Sequence, residues 1–74
     1  MKIIFKEIFV ELLQKNNISA YKLSVDIHIP QSSISYWKRG IKVPTAENLI
    51  TLADYFDVSI DYLVGRTDKP EVNR

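Results

Sequence analysis

Between Leu23 and Gly40 the chain reads L-S-V-D-I-H-I-P-Q-S-S-I-S-Y-W-K-R-G, and this stretch leaves few folding options. It holds two short amphipathic segments joined by a tight connection at His28. Pro30 suits the cap or first turn of a new helix, because its missing N–H would be unpaired there anyway. Beyond it, Ile34 and Trp37 stand at i and i+3, one narrow apolar stripe among Gln, Ser, Tyr, Lys and Arg. Gly40 then falls where a helix C-terminus favours a left-handed residue. The expectation is helix, tight turn, helix, with a second helix that buries one stripe and leaves a polar face outside.

The remaining punctuation extends that pattern to five helices. Residues 3–16 place Phe5, Phe9, Leu12 and Asn16 on one face, and Asn16-Asn17 stop the helix by accepting a left-handed conformation. Ser19 caps residues 20–26, with Leu23 and Ile27 inward and His28 in the turn. Residues 31–39 form the third helix and Ile41-Lys42-Val43-Pro44 a loop. Thr45 caps residues 46–56, with Leu49, Leu52, Ala53 and Phe56 inward. Ser59 caps a short fifth helix, with Ile60 and Leu63 inward and Gly65 closing it. No segment alternates at period two for long enough to be a strand. The fold class is therefore all-α, a compact five-helix bundle over residues 1–65, with a polar, frayed tail over residues 66–74.

Seventy-four residues make one domain whose core is too small for a buried reaction chamber. The absence of cysteine excludes disulfides and thiolate metal sites, and makes a reducing cytoplasm the natural setting. The opening M-K-I-I-F-K-E-I-F-V begins like a signal peptide but is broken by Lys6 and Glu7, and no run approaches a membrane span. The net charge is only +1, yet it is unevenly spread. Lys15, Lys22, Lys38, Arg39 and Lys42 face Asp26 alone over residues 15–42, a local +4, whereas Glu47, Asp54, Asp57 and Asp61 make residues 43–65 a local −4. One part of the surface is suited to phosphates and the other is not.

With Ile34 and Trp37 buried, the third helix turns Gln31, Ser32, Ser35 and Tyr36 outward. Gln can pair bidentately with adenine, Ser with several base edges, and a Tyr ring can pack on a thymine methyl. Lys38, Arg39 and Lys42 follow at the helix end, where a DNA backbone would pass. Ser33 lies at the margin of that face, and Tyr21 and Lys22 could touch the same strand from the second helix. Each residue also has an ordinary explanation: serines make soluble faces, and Tyr36 could pack on a neighbouring helix.

The segments I-P-Q-S-S-I-S-Y-W-K-R-G (29–40), P-T-A-E-N-L-I-T-L-A (44–53) and V-S-I-D-Y-L-V-G (58–65) resemble the Cro/CI-type, or Xre-type, helix-turn-helix family of phage repressors and bacterial regulators. The resemblance spans residues 5–65 and implies a lambda repressor-like DNA-binding domain. It places Gln31, Ser32 and Tyr36 on base-reading positions with Ser35 as helper, and Ser19, Lys38, Arg39 and Lys42 on backbone positions. Three residues depart from the family pattern. Ala20 replaces a Gln that usually touches phosphate and steadies the first reading residue, His28 replaces a turn Gly, and Pro30 replaces a Ser or Thr cap.

The resemblance implies a repressor, dimeric on a roughly palindromic operator, with double-stranded DNA as partner; the sequence carries no motif for a cofactor or metal, and none is expected. About four cationic contacts per subunit would give a log-affinity against log-salt slope on the order of −7 for a dimer. The alternative is a protein-interaction module of the same fold, an antitoxin or antirepressor. Its motive is the first helix, where Ile3, Ile4, Ile8, Val10 and Leu13 exceed what one stripe buries. Tyr55, Tyr62 and Val64 could instead serve a homodimer. His28 is the only histidine, and no catalytic motif accompanies it, so an enzyme is not expected.

Overall fold

The computed structural model describes residues 4–71. Its elements are α1 (Phe5–Lys15), α2 (Ala20–Ile27), α3 (Gln31–Arg39), α4 (Ala46–Phe56) and α5 (Ile60–Leu63), with no strand among the described residues. The fold is the expected all-helical five-helix bundle. α3 packs against both α1 and α2, and α5 packs against α4 and α1.

All five helices end in the same way. Asn17, His28, Gly40, Asp57 and Gly65 adopt left-handed backbone with φ of 54°, 58°, 74°, 55° and 85°. After each, the next residue's N–H donates to a carbonyl five residues back: Ile18 to Leu13, Ile29 to Ser24, Ile41 to Tyr36, Val58 to Ala53 and Arg66 to Asp61. This is the Schellman closure, which satisfies carbonyls that a helix C-terminus leaves without partners. In three places an N-cap follows at once. Asn17-Ile18-Ser19, His28-Ile29-Pro30 and Asp57-Val58-Ser59 are thus one corner used three times: a left-handed residue, an apolar residue turned to the core, and a cap. Ser19, Thr45 and Ser59 accept from the backbone N–H three residues on, at 3.0, 3.3 and 3.0 Å, as their positions predict. Pro30 provides no side-chain cap to α3.

The core joins residues from every helix. Phe5, Phe9, Leu23, Ile34, Leu52 and Leu63 are fully buried, each stabilising the fold by about 1.5–3 kcal/mol relative to exposure. Phe5 and Phe9 stack at 5.1 Å, and Trp37 meets both edge-on at 6.5 and 5.9 Å, fixing α3 against α1. Gly65 passes so close to α1 that a Cβ there would lie 2.5 Å from Ile4 Cγ1.

Several side chains differ from expectation. Leu13 is buried in the core, and Ile8 packs against it, so α1 buries a wider stripe than its first periodicity implies. Val10 is half-buried and Ile4 is 37% exposed; Ile3 lies outside the described residues. Asn16 is exposed rather than inward, because the helix has already ended, and its side-chain amide donates to Leu12 O at 2.8 Å. Ile60 is 40% exposed. Val58, the apolar residue of the third corner, is buried in the core while Ile60 faces out. Ile27, Leu49 and Phe56 are half-buried against the core. Of the tail, residues 66–71 run back beside α5, and Pro70 O accepts from Ser59 N at 3.0 Å. Residues 72–74 lie outside the described residues.

Candidate nucleic-acid interface

The α2–α3 corner sets the direction of α3. His28 must be left-handed for the chain to turn, at the cost an L-residue pays there. Ile29 packs against the core, and Pro30 starts α3 in extended backbone with φ −58° and ψ 144°. The carbonyl of Pro30 accepts from Ser33 N at 3.1 Å and Ile34 N at 3.4 Å. From this start, burial of Ile34 and Trp37 fixes the helix rotation.

Gln31 and Ser32 are exposed at the first turn, and Ser33 and Ser35 are half-buried. Tyr36, one turn on, is 36% exposed. Lys38 and Arg39 are exposed in the last turn, where they also offset the partial negative charge of the helix end. The structure gathers three of the expected residues into one group. Arg39 Cζ lies 5.5 Å and Lys42 Nζ 5.0 Å from the Tyr36 ring centre. The ring face attracts both cations and holds the helix end and the following loop together. Lys6 joins this end of α3, since a Cβ on Gly40 would come within 2.9 Å of Lys6 Cδ. Lys6 was not among the expected site residues, and its separation from Gly40 in the chain offers no signal for it.

On α2, Tyr21 is 65% exposed. The Ser19 oxygen is engaged as the cap acceptor, and its hydroxyl retains the capacity to donate. Lys22 is paired: its Nζ lies 3.1 Å from Asp26 Oδ2. The same oxygen accepts from the Tyr55 hydroxyl at 2.5 Å, a bond from α4 to α2 across 29 residues of chain. The hydrogen bond from Tyr55, then Lys22, holds the Asp26 carboxyl below its ordinary range, and Asp26 in turn pushes the Tyr55 hydroxyl up. Tyr55 is half-buried with its ring edge-on to Phe56 at 5.1 Å. Tyr62 is also half-buried and packs against the core, as Tyr55 does.

Among the described residues, no His, Cys, Asp or Glu group is arranged to hold a metal ion, and no helix is long and apolar enough to cross a membrane. What the interface can do chemically is donate and accept hydrogen bonds from a rigid helix and attract anions at one end of it.

Residues 10–63 match the helix-turn-helix family. The chain is 33% identical over 61 residues to an uncharacterized HTH-type transcriptional regulator, YobD, of Bacillus subtilis (strain 168), covering 82% of this chain and 54% of that protein. Its structure is similar to the crystal structure of a transcriptional regulator from Listeria innocua, with a TM-score of 0.82 and 27% sequence identity, covering 100% of this chain and 64% of that one. The chain therefore spans just over half of the first relative and less than two thirds of the second.

Proposed function

We propose that this chain, which belongs to the Cro/CI-type helix-turn-helix family, is a sequence-specific, double-stranded DNA-binding transcriptional regulator that lays α3 in the major groove. The observation that carries this is the division of α3. Ile34 and Trp37 lock it to the bundle, while Gln31, Ser32 and Tyr36 stand outward on a helix that cannot rotate. Gln31, Ser32, Ser35 and Tyr36 read bases; Ser19, Tyr21, Ser33, Lys38, Arg39 and Lys42 meet the backbone.

A repressor acting as a dimer on a palindromic cytoplasmic target is the finer form of this proposal. The bundle measures 28 × 24 × 23 Å along its principal axes. Two copies on half-sites one helical turn apart, about 34 Å, fit side by side without overlap.

Selection of binding sites from a random DNA pool tests the reading. A recovered motif with two inverted half-sites supports the dimer, a single short motif supports a monomer, and no enrichment defeats the DNA-binding reading. Docking of another protein has one observation in its favour, the groove between α4 and α5 where Ile50 and Ile60 are 51% and 40% exposed. A chain that enriches no DNA motif yet binds one protein through that groove would make the second reading the right one.

A further inference from the structure

Asp26 is the only acid between residues 15 and 42, the stretch that carries the cations of the interface. Resting on the DNA-binding reading above, we propose that Asp26 is a built-in brake on sequence-independent DNA binding: anchored by Tyr55, it cancels the charge of Lys22, so that α2 offers phosphates no net positive charge.

The anchor distinguishes this pair from an ordinary one. An exposed i, i+4 pair on a helix is weak, and a nearby phosphate would simply draw the lysine away. Here Asp26 Oδ2 also accepts from the hydroxyl of Tyr55, whose ring is half-buried on α4. The Lys22 side chain is 61% exposed with Asp26 as its partner, whereas the Asp26 side chain is 30% exposed and is also bonded to Tyr55. A phosphate that captured Lys22 would still face the carboxylate one helical turn away. If a phosphate takes Lys22, the cation that phosphate releases is offset by one drawn to the uncovered Asp26 carboxylate, so the pair adds nothing to net counterion release. Asp26 is ionised at neutral pH, as an aspartate ordinarily is, and the hydrogen bonds from Tyr55 and Lys22 favour that charged form further. Of the cations expected to meet the backbone, Lys38, Arg39 and Lys42 then remain, at the end of α3 and in the loop after it. The slope of log affinity against log salt becomes about −2.7 per bound subunit, or on the order of −5 for a dimer, in place of −7.

The test uses the whole chain and a random-sequence duplex, titrated between about 50 and 200 mM salt. Asp26→Asn keeps an oxygen for the Tyr55 hydroxyl and removes the charge. It is expected to steepen the slope by about 0.9 per bound subunit, equivalent at 0.1 M salt to a roughly eightfold tighter complex. Asp26→Ser, with the same charge change in a smaller side chain, is expected to give the same slope, and thermal melting confirms that each variant is folded. The double variant Lys22→Ala/Asp26→Asn should return to the wild-type slope. An unchanged slope in Asp26→Asn, with the double variant shallower than wild type by about 0.9, would show Lys22 to be an independent phosphate contact and overturn the proposal alone. Absence of any binding by the wild-type chain at the lowest salt would defeat the DNA-binding reading, and this proposal with it.

Discussion

The α2–α3 and α4–α5 corners are built on one backbone and differ in nearly everything else. Both turn on a non-glycine left-handed residue, His28 at φ 58° and Asp57 at φ 55°, and both follow it with a core-facing apolar residue, Ile29 or Val58. At the second corner the cap is Ser59, bonded to Tyr62 N, and the helix that follows is four residues long and acidic. At the first corner the cap is Pro30, which offers no side chain, and the helix that follows runs nine residues with polar groups outward and cations at its end. The bend is therefore a general device of this fold, and the capacity to read a ligand lies in the length and surface chemistry of the helix it launches.

The largest expected effect concerns what the two corners share. Ile34→Ala and Leu63→Ala each empty a fully buried site and should cost about 2–5 kcal/mol in denaturant unfolding. Because both side chains enter one core, the two losses should appear as loss of one cooperative transition. Separate transitions for the two corners would break the view that they are equivalent parts of a single unit.

Next come the surfaces on which the corners differ. Gln31→Ala and Tyr36→Ala should each weaken binding to a selected site by roughly 1–3 kcal/mol and relax base preference there. Asp61→Ala, on the outer face of α5, should leave DNA affinity within about 0.5 kcal/mol. Equal losses on random DNA for Gln31 or Tyr36 would make them backbone contacts. The Tyr36 result carries a second component, since its ring also holds Arg39 and Lys42.

The corners were legible in the sequence wherever one residue type meets one local demand. Ser19, Thr45 and Ser59 as caps, Asn17 and His28 as left-handed residues, and Gly40 and Gly65 as closures all follow from short-range chemistry. The errors begin where a position is decided by tertiary packing. Ile60 looks inward at i, i+3 from Leu63, but a single turn of helix has too little periodicity to choose a face, and Val58 is the neighbouring residue in the core. Leu13 looks surplus until α1 is seen buried through two adjacent rows. The Lys22–Asp26 spacing is visible in the sequence as an i, i+4 pair, but the tyrosine that anchors it is 29 residues away and leaves no local trace.

Smaller effects test the corner itself. Ser59→Ala removes a bonded cap and should cost about 1 kcal/mol. His28→Gly should stabilise the fold by about 0.5–1 kcal/mol, because relief of left-handed strain exceeds the extra freedom glycine gains when unfolded. Chemical denaturation of both variants reads the two signs directly. A destabilised His28→Gly would mean that the imidazole makes a contact worth more than the strain it endures.

The smallest effect separates the corners by pH. Tyr55 donates and Asp26 accepts, so their hydrogen bond requires a protonated tyrosine and an ionised carboxylate. Asp26 is depressed below 3.8; its contribution to stability is present above that value and is lost as pH falls through the lower folded value. Tyr55 is raised above 10.0; its contribution is present below that value and is lost as pH rises through the higher folded value. The thermal midpoint of Tyr55→Phe should therefore sit below wild type by a constant small amount near neutrality and converge with it at both extremes. At the α4–α5 corner the looser Asp61–Arg66 pair, at 3.9 Å and exposed on both sides, should give Asp61→Asn no comparable offset. A Tyr55→Phe offset that ignores pH would show that the tyrosine stabilises α4 through its ring alone, and would remove the anchor from Asp26.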